Sequence, residues 1–113
     1  MKQKLAVLWT NADKMTSLHM VLMYTKNSKL RGWWNDIELI IWGATAKLVV
    51  EDLDVQKEVL AARDAGVKIG ACQACARNLG VYDLLVDLGF DVKSYGPVLT
   101  EYLNDETIQV LSI

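Results

Sequence analysis

Leu5-Ala6-Val7-Leu8-Trp9-Thr10-Asn11-Ala12-Asp13 is the stretch whose reading decides the fold class. Its first five residues are apolar without alternation, the pattern of a strand buried on both faces of a parallel sheet. Thr10, Asn11 and Asp13 then supply side chains that start helices. A strand running straight into a helix is half of a crossover unit, and the unit recurs along the chain. Ile37 to Trp42 reads as a second strand, broken by Gly43 and followed by a helix from Ala44 to Val50. Asp52 and Asp54 can cap a further helix through Val55, Val59, Leu60 and Ala62, which Gly66 ends in the left-handed conformation.

Val67 to Ala71 is the third predicted strand, and Cys72 opens a short helix closed by Gly80. A second short helix runs from about Tyr82 to Leu88 and stops at Gly89. Phe90 to Tyr95 is predicted as the fourth strand and Thr107 to Ile113 as the last. Between them, Pro97 to Leu103 reads as a helix with proline in its first turn. The alternation β-α-β-α-β-α-β-α-β calls for an α/β domain with a central, mainly parallel five-stranded sheet. Right-handed crossovers then place helices on both faces. One such domain over residues 1–113 uses the whole chain, which has no linker or internal repeat. The pattern leaves the strand order open.

The first helix is predicted to run from Asp13 to about Lys26, with Asn27 and Ser28 closing it. Met15, Leu18, Met20, Val21, Leu22, Met23 and Tyr24 cover most of its circumference. A helix lying on one sheet face needs only a single apolar stripe, so the excess predicts a second burial partner and hence a homo-oligomer. His19 lies inside this helix and reads as a structural or interface histidine. Trp33 and Trp34, in the loop from Leu30 to Asp36, read as loop-packing or interface residues.

Composition narrows the function. Of the 113 residues 52% are hydrophobic and 23% charged, with a formal net charge of −2, a globular balance. There is no basic footprint of the kind nucleic-acid binders need, so no nucleic-acid partner is expected. Met1-Lys2-Gln3-Lys4 precedes only five apolar residues, too few for a signal peptide or a membrane span, so no membrane association is expected. Two cysteines three positions apart suit a reducing compartment, and the cytoplasm is the expected location. Two cysteines and one histidine do not complete a closed four-ligand zinc site in one chain, so no metal is expected. Nucleotide-binding glycine motifs are absent and no cofactor is implied.

In open α/β sheets, ligands bind outside the carboxyl ends of the strands. That edge should gather Asn11 after strand one, Gly43 and Thr45 after strand two, Cys72, Gln73 and Cys75 after strand three, and Gly96 after strand four. Cysteine is the only strong nucleophile among them. Cys72 stands where a strand turns into a helix, and unpaired amide N–H groups there favour a thiolate. The alternative is a small buried residue without chemistry. Cys75, one turn on, either packs against the sheet or acts as a resolving thiol. Cys72-Gln73-Ala74-Cys75 matches the bare C-x-x-C of dithiol oxidoreductases, without the usual central residues and without a proline placed before a strand opposite it.

From Val67 to Gly80 (VKIGACQACARNLG) the chain resembles the DsrE/DsrF-like family of small sulfur-relay proteins. Further stretches fit: the opening strand with its Met-rich helix, Trp42-Gly43-Ala44, Leu88-Gly89-Phe90-Asp91-Val92 and Gly96-Pro97-Val98-Leu99-Thr100. The resemblance implies a three-layer α/β/α sandwich (DsrEFH-like) assembled into trimers or hexamers. It also implies sulfur donor and acceptor proteins as partners. Members of that family carry a persulfide on a cysteine after the third strand. Cys72 matches that cysteine, with Gly80 eight residues on, as in the family pattern. Cys75 falls where such members usually have a small residue, which leaves open a disulfide between the two. Three functions follow as expectations: a persulfide carrier on Cys72, a non-catalytic oligomeric ligand-binding module, and a Cys72/Cys75 dithiol redox protein.

Overall fold

In the computed structural model, which describes residues 1–113, the apolar runs become the inner strands of one parallel sheet. β1 (Lys4–Trp9) pairs with β2 (Asp36–Ile41), Leu5 standing opposite Ile37 and Trp9 opposite Ile41. β3 (Lys68–Cys72) flanks β2, β4 (Asp91–Lys93) forms one edge, and β5 (Ile108–Ser112) pairs with the free side of β1. The order is β4-β3-β2-β1-β5 with every pair parallel.

Helices fill the connections. α1 is a continuous helical rod made of Lys14–Thr16, a π-helical stretch Ser17–Leu22 and Met23–Leu30. α2 (Thr45–Glu51) and α3 (Leu53–Asp64) join β2 to β3, while α4 (Gln73–Asn78) and α5 (Tyr82–Asp87) join β3 to β4. α6 (Tyr95–Leu103) leads from β4 to β5. Three successive crossovers step the same way across the sheet, so right-handedness puts α1 to α5 on one face. The last connection returns in the opposite direction, and the same handedness sends α6 across the other face. This is the three-layer α/β/α arrangement expected.

The two faces are unequal. Side chains alternate along each strand, so Leu5, Val7, Trp9, Ile37, Leu39, Ile41, Ile69 and Ala71 point toward α1 to α5 in a core of 20 buried apolar residues. The α6 face holds only Ala6, Ile40 and Tyr95 fully buried, with Leu8, Trp42, Val98, Tyr102, Ile108 and Val110 half-covered around them. No helix is long and apolar enough to cross a membrane.

Several boundaries differ from the sequence reading. α1 continues to Leu30, past the predicted stop at Asn27 and Ser28, because Ser28 faces inward and is fully buried. Its sheet-facing stripe is Ser17, Val21, Leu22, Thr25 and Ser28, three of them small and polar. Residues five apart fall about 140° around an α-helix; the wider π turn lets Ser17 and Leu22 both face the sheet. Met15, Met20 and Met23 consequently point outward, exposed at 62%, 40% and 46%. β4 is shorter than Phe90–Tyr95, since Tyr95 already begins α6. Pro97 is the third residue of that helix, inside its first turn as expected. Asp52 caps α3 by accepting from the Asp54 and Val55 N–H groups at 3.0 and 3.1 Å, and Gly66 follows with φ +109°.

One buried polar knot fastens α6 to its sparsely covered face. Glu38, 5% exposed in the middle of β2, accepts from the Tyr95 hydroxyl at 2.5 Å and the Tyr102 hydroxyl at 2.6 Å. Lys4 Nζ lies 2.9 Å from Glu38 Oε1 and donates to the Tyr102 hydroxyl oxygen at 2.9 Å. The Tyr95 ring lies against Gly70 of β3, where any Cβ would collide with it. Burial alone would raise the Glu38 pKa, but the hydrogen bonds from Tyr102, Tyr95 and Lys4 outweigh it and hold the carboxyl below its ordinary value.

A depressed folded-state pKa stabilises above the unfolded value and is lost as pH falls through the folded one. Glu38→Gln should therefore lower stability at neutral pH by about 2 kcal/mol, since Lys4 and two tyrosines lose an ionised partner. It should also flatten the loss of stability below pH 4.5, the ordinary glutamate value. Urea unfolding between pH 3 and 7 measures both.

Candidate functional site

Cys72 is the last residue of β3 and the N-cap of α4, with φ −66° and ψ 119°. It stands opposite Lys93 of β4 and is 6% exposed. Its side chain makes no capping hydrogen bond to α4, so the sulfur is not committed to the helix backbone. Cys75 is the third residue of α4 and half-buried. Side chains at the N-cap and third helical positions face one another, the relation a capping box uses. Here that relation places Cys72 and Cys75 side by side at the start of the helix, with both thiols free.

A third group completes the cluster. Gly43 follows β2 with φ +69°, a left-handed conformation costly for any residue with a Cβ, although the space around it is open. Gly43 lies in the turn after β2, the strand beside β3, and its backbone N–H is among the groups acting on the Cys75 thiol. Burial and the adjacent Cys72 sulfur push the Cys75 thiol up from its ordinary value, against the pull of the Gly43 N–H. Cys75 is therefore held as a thiol at neutral pH.

The other residues expected at this edge have different situations. Thr45 is fully buried, its hydroxyl 2.8 Å from the Trp9 carbonyl and 3.1 Å from the Trp42 carbonyl, and it accepts the Trp42 N–H at 3.1 Å. It ties the carboxyl ends of β1 and β2 together. Asn11 is exposed; its side chain accepts the Asp13 N–H at 2.9 Å, and its carbonyl accepts from Trp9 Nε1 at 3.1 Å. It shapes the β1–α1 turn, two strands and roughly 10 Å from β3. Gln73, half-buried, begins α4 beside Cys72. Gly96 is the second residue of α6, past the end of β4, with open space where a Cβ would lie. The structure thus groups Cys72, Cys75 and Gly43, with Gln73 adjoining, and gives Thr45 and Asn11 work in the loops.

The larger cavities lie away from the cysteines. One of 480 Å³ runs between α1 and α3, past His19, Met23, Lys26 and Glu58. Another of 410 Å³ lies under α6, lined by Lys4, Glu38, Lys68, Lys93, Tyr95 and Tyr102. No motif in the chain marks that polar cluster; its one signal is a carboxylate, Glu38, inside an otherwise apolar strand. No three His, Cys, Asp or Glu side chains are grouped so as to hold a metal ion.

No family model matches the sequence, and no curated protein matches it significantly. Among solved structures, the chain is similar to the ychN protein of E. coli at 12% identity, with all of both chains covered and a TM-score of 0.69. That likeness establishes the fold, the DsrE-like arrangement of a five-stranded parallel sheet between helical layers. The chain is also 46% identical to BT1422 from Bacteroides thetaiotaomicron, described as a conserved protein of unknown function, with a TM-score of 0.94. That match covers 98% of this chain and 95% of the other. At that identity, over nearly the full length of both, the chain belongs to the same protein family as BT1422.

Proposed function

We propose that the protein is a sulfur carrier in which Cys72 accepts sulfane sulfur as a cysteine persulfide and hands it to a partner protein. The observation that carries this reading is the placement of Cys72 at the carboxyl end of β3, in a fold shared with ychN. It is the position that the DsrE/DsrF resemblance marks for the persulfide. The sulfur there is uncommitted to the backbone and nearly shielded from solvent, which protects a persulfide from stray thiols and oxidants. Donor and acceptor are proteins able to dock at the β3–β4 edge, and the free thiols suit a reducing cytoplasm. The placement of both cysteines at the start of α4, at positions whose side chains face one another, favours a second reading, a dithiol redox couple. The ligand-binding alternative draws no support from the larger cavities, none of which is lined by either cysteine.

The outward methionines of α1, with Leu30 and Trp33 exposed at 64% and 57%, support a homo-oligomer built on this face, a trimer or hexamer by the resemblance. Sedimentation equilibrium at micromolar concentration should give a multiple of the 12.7 kDa chain mass, and Met20→Glu with Met23→Glu should shift it toward monomer. A wild-type monomer would refute the assembly.

Carriage is read by intact mass after exposure to a low-molecular-weight persulfide. Cys75→Ser should gain the mass of one sulfur atom, and the Cys72→Ser single variant should gain none. Loading that survives Cys72→Ser would move the carrier off Cys72.

A further inference from the structure

The second cysteine changes what a persulfide on Cys72 does next. A carrier with one cysteine keeps its sulfur until an acceptor arrives. In this chain Cys75 stands one helical turn from Cys72, the two at the N-cap and third positions of α4, where side chains face one another. A thiol so placed is within reach of the inner sulfur of any persulfide on Cys72, and C-x-x-C at a helix start is the spacing at which dithiol oxidoreductases close a disulfide.

We infer that Cys75 discharges the Cys72 persulfide as hydrogen sulfide, so that the protein is a sulfane-sulfur reductase as well as a carrier. This inference rests on the carrier reading. In the step, the Cys75 sulfur gives up its proton and attacks the Cys72 Sγ. The bond between Cys72 Sγ and the outer sulfur breaks, and that sulfur leaves with the bonding pair as hydrosulfide. The balance is Cys72–S–SH plus Cys75–SH giving the Cys72–Cys75 disulfide plus H₂S. The outer sulfur is reduced and Cys75 is oxidised. Each cycle begins with a sulfane-sulfur donor and ends with a dithiol reductant, which restores both thiols.

Charge develops on the Cys75 sulfur as its proton leaves, and the nearby Gly43 N–H favours that charge. The thiol itself is held protonated by burial and by the Cys72 sulfur, which slows the attack. Delivery to an acceptor docked at the edge therefore competes with discharge, and sulfide is released when no acceptor comes.

The test loads reduced wild type, Cys75→Ser, Cys75→Ala and Cys72→Ser with glutathione persulfide. Excess donor is removed, and released sulfide and intact mass are followed over time. Wild type should release one sulfide per chain and end two hydrogens lighter than the reduced protein, with an intrachain bridge that a dithiol reductant removes. Both Cys75 variants should hold the added sulfur and lose the sulfide release. A wild type that keeps its sulfur as long as the Cys75 variants do would overturn the discharge and leave the carrier standing. Failure of both Cys75 variants to load would remove the carrier reading and the discharge together. A bridge formed only between chains would also overturn the inference, because the reacting pair would then not be the one within α4.

Discussion

The buried carboxylate of Glu38 is the constraint on which the second layer of this fold depends. A sheet five strands wide with a single helix on one face has too little apolar surface there to fix that helix by hydrophobic contact alone. The carboxylate answers with three charge-assisted contacts converging from β1 and from both ends of α6. Gly70 belongs to the same arrangement, since its missing side chain is the space the Tyr95 ring occupies. Removing any one partner would strand the others in a poorly hydrated place, so these residues work as a unit.

The cysteine site inherits its rigidity from this frame. Cys72 lies two residues beyond Gly70 on β3, opposite the Lys93 that precedes α6. On the other side, Thr45 joins the carboxyl ends of β1 and β2 and so fixes the turn that holds Gly43. A thiol pair held by strands and a stapled turn keeps its geometry better than one on a free loop, and thiol exchange depends on such alignment. The outward methionines of α1 are the opposite case, flexible side chains suited to meeting another surface.

Much of the fold was legible because parallel strands announce themselves. Leu5 to Trp9 and Ile37 to Trp42 read as strands from their mainly apolar residues, and the Asp52 cap and Gly66 stop bracket α3 by local chemistry. Local chemistry misled where tertiary burial overruled it. Ser28 looked like a helix end and is a buried helix residue, and Tyr95 looked like the end of a strand and begins a helix. In the site, Cys72 was legible from its place between strand and helix. The nearness of Gly43 to Cys75 was not, because it joins turns that follow different strands.

By itself the sequence determined the α/β class, the parallel sheet, the helix starts and the candidacy of Cys72, all of which follow from periodicity, caps and short-range spacing. Only the tertiary structure decided the strand order, the unequal covering of the two faces and the Glu38 knot. Those features come from residues tens of positions apart, whose meeting depends on how right-handed crossovers stack the strands. Cys75 divides between the two. Its spacing from Cys72 is written in the chain, but its half-burial and its neighbour Gly43 exist only once β2 and β3 lie side by side.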